Sequence, residues 1–433
     1  MTTTASFRTL DDWLPWLESL SPREIVLGLE RVDAVLDRIG LARPALVVTI
    51  TGTNGKGSSL AILEAILRKE GVRTGAYSSP HVHRYNERTL IDGVPADDAT
   101  IIKALQTVEA ARGDTPLTFF EFGTLASLMV FAKAGVDAWL LEVGMGGRLD
   151  AVNAIDSDAC LITNVSLDHC SWLGNDIESI ATEKAGIMRA DKPVVFGSTN
   201  VPDAIPRIAA EIGAELILAG RDFAFNVDVD GCWCWQGRQH RTNNLTKPLS
   251  GNFQYQNAAA VLALLEALGL SHALRPEPIS TALSDVRIEG RCQRLGPQWI
   301  VDVAHNPAAA SVLADALGAL RNGGEINIVV GMLDDKDPEG FIAPFKAVAN
   351  RILAVSIGGG HGSRANELAR RIANVSDVPC QVVPDLGEAL STIDRKMGER
   401  DMTLVTGSFY IVGPAIRWIG QHSVAQAAKE QPD

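Results

Sequence analysis

One pattern repeats through this chain: a short apolar run rich in β-branched residues, then a stretch with helical periodicity. The runs include "ALVVTI", "AWLLEVG", "ACLITNV" and "KPVVFGS", and later "WIVDVAHN", "INIVVGML", "RILAVSI" and "MTLVTGS". Helical periodicity covers Ser58–Glu70, Ala99–Ala111, Glu121–Ala134, Ser179–Arg189 and Asn257–Leu268. Strands separated by helices of this length form βαβ units, so the pattern predicts an α/β fold with mostly parallel sheets. The segment "FAFNVDVDGCWCWQGRQHRTNNLT" departs from it. It alternates and carries Asp-Gly, which predicts a β-hairpin insertion.

At 433 residues the chain exceeds one ordinary domain. The polar, glycine-bearing stretch Glu289–Pro297, followed by a fresh strand, marks a boundary that gives domains 1–290 and 291–433. The larger is expected to hold a P-loop-type, mostly parallel sheet, and the smaller four further βα units. The tail "SVAQAAKEQPD" is expected to fray. A net charge of −13 argues against broad nucleic-acid binding, although a local basic pocket can still take an anionic small molecule. Cys160, Cys170, Cys232, Cys234, Cys292 and Cys380 show neither a C-x-x-C pair nor a secreted framework, which predicts reduced thiols in a cytoplasmic protein. No signal peptide and no membrane span are expected.

The segment "VTITGTNGKGSSLAI", residues 48–62, runs from a strand through a glycine-rich turn into a helix. Backbone N–H groups of Asn54, Gly55, Lys56 and Gly57 are placed to meet a phosphate, at a helix end of positive potential. Lys56 would reach the β- and γ-phosphates, and Ser58 stands where a hydroxyl ligates Mg²⁺. The spacing is shorter than the common phosphate loop, and Gly57 separates Lys56 from Ser58. A plain glycine turn with an exposed lysine is the alternative. The second glycine cluster, "EVGMGGRLD", fails the dinucleotide fingerprint because Leu149 replaces the last glycine.

Strand ends of an open parallel sheet converge on one crevice, where ligands bind. "YSSPH", "LLEVG" and "NVSLDHC" are such ends. They carry Ser79, Glu142 and His169, which with Ser58 form a candidate Mg²⁺ ligand set. Taken alone, His169, a less usual ligand for Mg²⁺, reads more readily as a hydrogen-bonded structural residue. Lys184 lies on a helix among apolar neighbours, as either a surface lysine, an ion-pair partner or a modified side chain.

In order along the chain stand "LGLERV", "TGTNGKGS", "SSPH", "TFFEF", "LEVGMGGRLDAVN", "EKAGIMR", "GRCQ", "DVAHNP", "GMLDDKD" and "TGSFY". This set resembles the ATP-dependent Mur ligase superfamily, and within it the bacterial bifunctional dihydrofolate synthase/folylpolyglutamate synthase family. The resemblance implies a central-type ATP-binding domain with a pterin site, followed by a Rossmann-like ligase domain. It implies that Asn54, Gly55, Lys56 and Gly57 hold ATP phosphates, with Asn257, Arg291 and Asp302 completing the nucleotide site. Ser79, Glu142 and His169 match the family's metal positions. Lys184 matches a lysine carboxylated to a carbamate, an anion able to help hold a second Mg²⁺. The pterin pocket would comprise Gly28, Leu29, Glu30, Thr118, Phe119, Phe120, Leu149 and Asp150. Departures are Cys292 in place of an aromatic, a serine for glycine in "VSLDHC" and Met145 for leucine. The "GGGHGSRA" loop, Gly358–Gly362 at its heart, receives no role.

The implied reaction is amide formation: ATP phosphorylates a carboxylate, the amine of L-glutamate displaces phosphate, and ADP is released. Lys56 and Mg²⁺ would offset charge on the γ-phosphoryl group, with Lys184, His169 and Arg291 as the other catalytic candidates. The carboxylate donor would be dihydropteroate or a reduced folate, and a monomer is expected. Core packing is an alternative for Phe119 or Phe120, and turn-making for His305. Rival readings are a cell-wall Mur ligase, for whose extra N-terminal domain little room precedes residue 52, a nucleotide switch, and a phosphate-loop kinase.

Overall fold

The computed structural model describes residues 7–21, 26–358 and 362–429. Part of the Gly358–Gly362 loop therefore lies outside the described residues. The chain divides into two compact units: Met1–Val165, Leu173–Leu249 and Gln254–Val286 form the first, and Ser166–Trp172, Ser250–Phe253 and Arg287–Asp433 the second.

In the first unit an eight-stranded sheet has the spatial order Val94–Pro95, Thr89–Ile91, Thr74–Tyr77, Ala138–Glu142, Leu46–Thr51, Ala159–Ile162, Pro193–Phe196, Glu215–Leu218. The six strands from Thr74–Tyr77 onward pair in parallel, and the two at the other edge are antiparallel. Successive strand residues point to opposite faces. Val47, Trp139, Leu141 and Ile162 enter one buried cluster, whereas Val48, Ile50, Leu140 and Leu161 enter another. With both faces covered, the strands read as continuous apolar runs. Helix Phe119–Ala134 seals one face with Phe122, Leu125 and Phe131, and helix Phe253–Ala267 the other with Leu262 and Leu265.

The expected hairpin is a three-stranded antiparallel sheet, Ala224–Val227, Trp233–Gln236 and Arg241–Leu245. The Asp-Gly turn joins the first two strands, and a second turn, closed by Gly237 N–H to the His240 carbonyl at 2.9 Å, adds the third. Trp233 and Trp235 point to the same side and are fully buried. Their indole N–H groups donate to the carbonyls of Thr246 (2.8 Å) and Ala259 (3.1 Å). Burial of each ring contributes roughly 2–3 kcal/mol, which ties this sheet to helix Phe253–Ala267.

The helix predicted over Ser179–Arg189 is Ile177–Ala185. It stops where Gly186 meets the segment carrying Arg148: a Cβ on Gly186 would lie 2.3 Å from that of Arg148.

The second unit holds a six-stranded sheet in the order Gln293–Leu295, Trp299–Asp302, Met402–Thr406, Ile326–Val330, Arg351–Ala354, Cys380–Val382, parallel except for its first, antiparallel strand. Ile300, Ile328 and Leu404 fill one face, and Val301, Val329 and Val405 the other. The last helix runs Phe409–Lys429, through most of the tail predicted to fray. Among the described residues, no helix is long and apolar enough to cross a membrane.

Candidate active site

Helix Lys56–Lys69 begins directly after the glycine turn. Its N-cap is Gly55, at φ 86, a left-handed conformation that glycine adopts without strain. No side chain caps it, and its first turn carries no acid. Helix Phe119–Ala134, by contrast, has a capping box from Thr118 and Glu121, and helix Pro307–Leu320 is capped by Asn306. The first N–H groups of a helix have no intrahelical partner and sit at its positive end, so this uncapped end is suited to an anion.

The loop is held from two sides. The Asn54 carbonyl accepts from the Thr163 hydroxyl (2.6 Å) and the Asn164 amide (2.9 Å), while Asn54 N–H donates to Asn164 Oδ1 at 3.1 Å. On the other side, a Cβ on Gly55 would lie 2.5 Å from Asn257 Oδ1. The Asn257 amide donates to Gln254 Oε1 at 2.9 Å, and the Gln254 amide to the buried Ser58 hydroxyl at 3.2 Å. Lys56 Nζ turns back onto the carbonyls of Gly52 (3.0 Å) and Thr53 (3.4 Å).

Glu142 ends its strand and is buried, with an oxygen 3.5 Å from where a Cβ on Gly57 would stand. Ser79 is half-buried just past the neighbouring strand, Thr74–Tyr77, and the Ser79–Pro80 peptide is cis. Lys184 is only 4% exposed, which removes the surface-lysine alternative. The first unit thus brings Asn54–Ser58, Glu142 and Asn257 together.

A second group gathers around Asp150. Its carboxylate accepts from the N–H groups of Met145 (2.9 Å) and Val152 (3.0 Å). Burial pushes its pKa up to about 6, against the pull of those backbone bonds and the charge of Lys56. A Cβ on Gly144 would touch Phe120 at 2.7 Å and Asp150 at 3.4 Å, and Gly28 N–H points at the Leu149 carbonyl at 3.5 Å. Phe120 tilts against Tyr77, and Phe119 meets Tyr85 edge to face. Leu29 stands at the start of helix Glu30–Ile39, and Glu30 is exposed.

In the second unit Asp168 is the hub. It takes Lys336 Nζ at 2.8 Å, the Asn306 amide at 3.0 Å and His305 Nε2 at 3.3 Å. Burial alone would raise its pKa, but the His305 hydrogen bond and the charges of His169, His305 and Lys336 hold it well below the usual carboxylate range. His169, in a left-handed conformation, has its ring nitrogens 3.9 Å from Asp335 and 3.5 Å from Lys336. His305 does make the turn contact expected of it, to the Val303 carbonyl at 2.9 Å, as well as reaching Asp168. Asp302 is buried and accepts from Cys292 N–H and Ala304 N–H, both at 2.7 Å. Burial raises its pKa, opposed by the charge of Arg291, which lies over the Phe409 ring at 5.6 Å.

Asp168, Lys336, Gln254 and Asn164 carry much of this geometry, and sequence reasoning assigned them no role. Asp168 had a signal, as the residue next to His169 at a strand end. Gln254 and Asn164 had none.

A model of the Mur ligase middle domain matches residues 50–265, and one of the Mur ligase glutamate ligase domain matches 287–409. A dihydrofolate synthase/folylpolyglutamate synthase of Escherichia coli (strain K12) is 39% identical over 406 residues, 93% of this chain and 94% of that protein. The solved structure of E. coli FolC in complex with DHPP and ADP superposes with a TM-score of 0.91 at 37% identity, covering 96% of this chain and 99% of that one. A bifunctional folylpolyglutamate synthase/dihydrofolate synthase of Yersinia pestis, complexed with AMPPNP and a Mn ion, gives 0.89 at 39% identity, covering 98% and 100%.

Proposed function

The chain belongs to the Mur ligases, in the dihydrofolate synthase/folylpolyglutamate synthase family, and from that premise we propose how its residues carry the family's reaction. It is an ATP-dependent ligase that adds L-glutamate to 7,8-dihydropteroate, giving dihydrofolate, and to reduced folates, lengthening their glutamate chain. The observation that carries the reading is the uncapped helix end at Gly55–Lys56, with Glu142 beside Gly57.

In this proposal the N–H groups of Asn54–Gly57 hold the ATP phosphates. Lys56 swings from its carbonyl contacts onto the γ-phosphoryl group as negative charge spreads over it. Asn257, Arg291 and Asp302 complete the nucleotide site. The substrate carboxylate attacks the γ-phosphorus and ADP leaves. The glutamate amine then attacks the acyl carbon, loses a proton, and phosphate departs. Gly28, Leu29, Glu30, Thr118, Phe119, Phe120, Leu149 and Asp150 receive the pterin, with Asp150 set between protonation states near pH 6 to meet a ring N–H or ring nitrogen.

The donor set suits a hard divalent cation: a buried carboxylate at Glu142 and hydroxyls at Ser79 and Ser58, with the imidazole of His169. Bound Mg²⁺ supplies charge neutralisation at the phosphates. Lys184, buried on its helix, is the amine that would add carbon dioxide in this reading. The resulting carbamate is a further oxygen ligand. Lys184→Ala is expected to lose most turnover and to recover part of it with short carboxylates; an unaltered rate would remove the carbamate. The protein acts as a cytoplasmic monomer in this reading.

The test is ADP release from purified protein with ATP and Mg²⁺, omitting dihydropteroate and L-glutamate in turn. Release should require both. Release indifferent to both would overturn the ligase assignment.

A further inference from the structure

Among the described residues Arg88 is a cation without an acid. No carboxylate among them comes within 4.0 Å of its guanidinium, unlike Arg31, Arg84 and Arg148, which pair with Glu121, Asp98 and Glu183. It is nevertheless a placed side chain. Its guanidinium lies over the rings of Tyr85 at 5.5 Å and Phe119 at 5.3 Å, two rings that themselves meet edge to face. Its Nε–H donates to His81 Nδ1 at 3.0 Å, and its backbone carbonyl accepts the N–H of Ser78 at 3.1 Å. Two rings, one imidazole and one strand contact thus fix a half-buried arginine whose two terminal nitrogens make no hydrogen bond to a described residue. Those nitrogens form the fork that pairs with a carboxylate. Holding a half-buried charge unpaired is costly, and a ligand anion removes that cost.

Which anion follows from the neighbours. Ser78 adjoins Ser79, and Phe119 adjoins Phe120 and Thr118. Through Phe119 the fork belongs to the part of the first unit assigned above to the pterin-bearing substrate, and through Ser78 it borders Ser79 of the proposed Mg²⁺ ligands. Dihydropteroate has a single carboxylate, and it reacts. A reduced folate has two: the γ-carboxylate reacts, and the α-carboxylate of the glutamate already attached is a spectator that needs a partner.

We propose that Arg88 binds the α-carboxylate of the glutamate on an incoming reduced folate, and so sets the enzyme's preference between its two substrates. Arg88 is then a specificity residue, used when the chain is lengthened and idle when dihydrofolate is first made. The inference rests on the ligase reading, and the two fail differently. If wild-type protein with dihydropteroate, ATP and L-glutamate releases no ADP, the ligase reading falls before Arg88 is tested.

The experiment compares kcat/KM for tetrahydrofolate and for dihydropteroate in wild type and Arg88→Gln. A second pair of arms uses tetrahydrofolate and its α-carboxamide. In Arg88→Gln the tetrahydrofolate-to-dihydropteroate ratio should fall at least about tenfold, through KM for tetrahydrofolate, as loss of a bidentate charged contact would give. Wild type should prefer the α-acid over the α-amide by a similar factor, and Arg88→Gln should not distinguish them. An equal loss with both substrates would assign the guanidinium to the acyl phosphate or to the fold. A changed KM for L-glutamate in both reactions would assign it to the incoming amino acid. Either result overturns the proposal. So does a wild-type enzyme that uses α-acid and α-amide equally, a measurement that needs no variant to fold.

Discussion

At the ends of its strands the first unit offers backbone N–H groups, whereas the second offers charged side chains already paired with one another. The helix at Lys56 starts on a glycine with no side-chain cap. Asp168 in the second unit already holds Lys336, Asn306 and His305. Both arrangements sit on parallel sheets built by the same βαβ logic, so the sheet alone does not dictate how a site is charged. Backbone donors cannot be neutralised by a neighbouring residue without rebuilding the loop, and they cost little to keep ready for an anion. Side-chain charges buried beside each other must be matched within the protein, and they make the second unit depend for stability on a few exact pairings.

The contrast breaks first at Lys56. Lys56→Ala removes a charge from the first unit whose amine rests on the carbonyls of Gly52 and Thr53. Glutamate-dependent ADP release should fall on the order of 10³-fold, while the melting temperature stays within roughly 2 °C. A large drop in melting temperature would mean that the loop lysine is structural and the two units are more alike than described.

Asp168→Ala should do the reverse. It leaves the 7%-exposed Lys336 side chain with its 2.8 Å partner gone. Removing one member of a buried pair costs about 3–5 kcal/mol. Urea unfolding should show that loss, and Lys336→Met in the same chain should restore part of it. A double variant no more stable than Asp168→Ala would show that the charge of Lys336 is not what the hub is matching.

How much of this could be read from residues alone follows the same division. The glycine loop was legible because a local pattern specifies it, strand, turn and helix within 15 residues, and Glu142 was legible as a strand end; the burial of Lys184 was not, because a lysine on a helix ordinarily lies at the surface. The parallel sheets were legible from continuous apolar runs. The third strand of the Trp233–Trp235 sheet was not, because its turn at Gly237–His240 lacks an Asp-Gly or Asn-Gly pair. The Asp168 hub was not, because Lys336 and Asp168 are 168 residues apart and nothing local marks either as a partner of the other. Two pieces of the second unit, Ser166–Trp172 and Ser250–Phe253, also lie where a boundary drawn along the chain does not place them.

The first unit buries acids too, Asp150 among them, and pH separates Asp150 from Asp168. Asp150 has a pKa of about 6 against an ordinary 3.8, so the folded chain binds that proton more tightly than the unfolded chain does. The associated stability is complete below about pH 4 and is lost as pH rises through 6, on the order of 3 kcal/mol in all. Asp168 is displaced the other way, and its contribution persists at neutral pH. Asp150→Asn should therefore shrink the fall in unfolding free energy between pH 4.5 and 7.5. An unchanged fall would place the titration elsewhere.

The smallest effect is expected at Asn306, and it asks whether the second unit needs a cap or a neutral cap. Asn306 Oδ1 accepts from Ala309 N–H at 2.9 Å, while its amide donates to Asp168 Oδ2 at 3.0 Å. Asn306→Ala loses the cap and should cost about 1 kcal/mol, with some addition from the lost bond to Asp168. Asn306→Asp keeps an equally good cap, since aspartate and asparagine rank together at this position. If capping were the whole role, it would restore wild-type stability. But it sets a second carboxylate against Asp168 where an amide donor stood, and like charges at that distance repel. Urea unfolding at pH 7 should rank Asn306→Asp at or below Asn306→Ala, and acidification toward pH 4 should narrow its deficit as the new carboxylate takes up a proton. Wild-type stability in Asn306→Asp at pH 7 would mean that the cluster has charge to spare, and that the second unit is not internally matched after all.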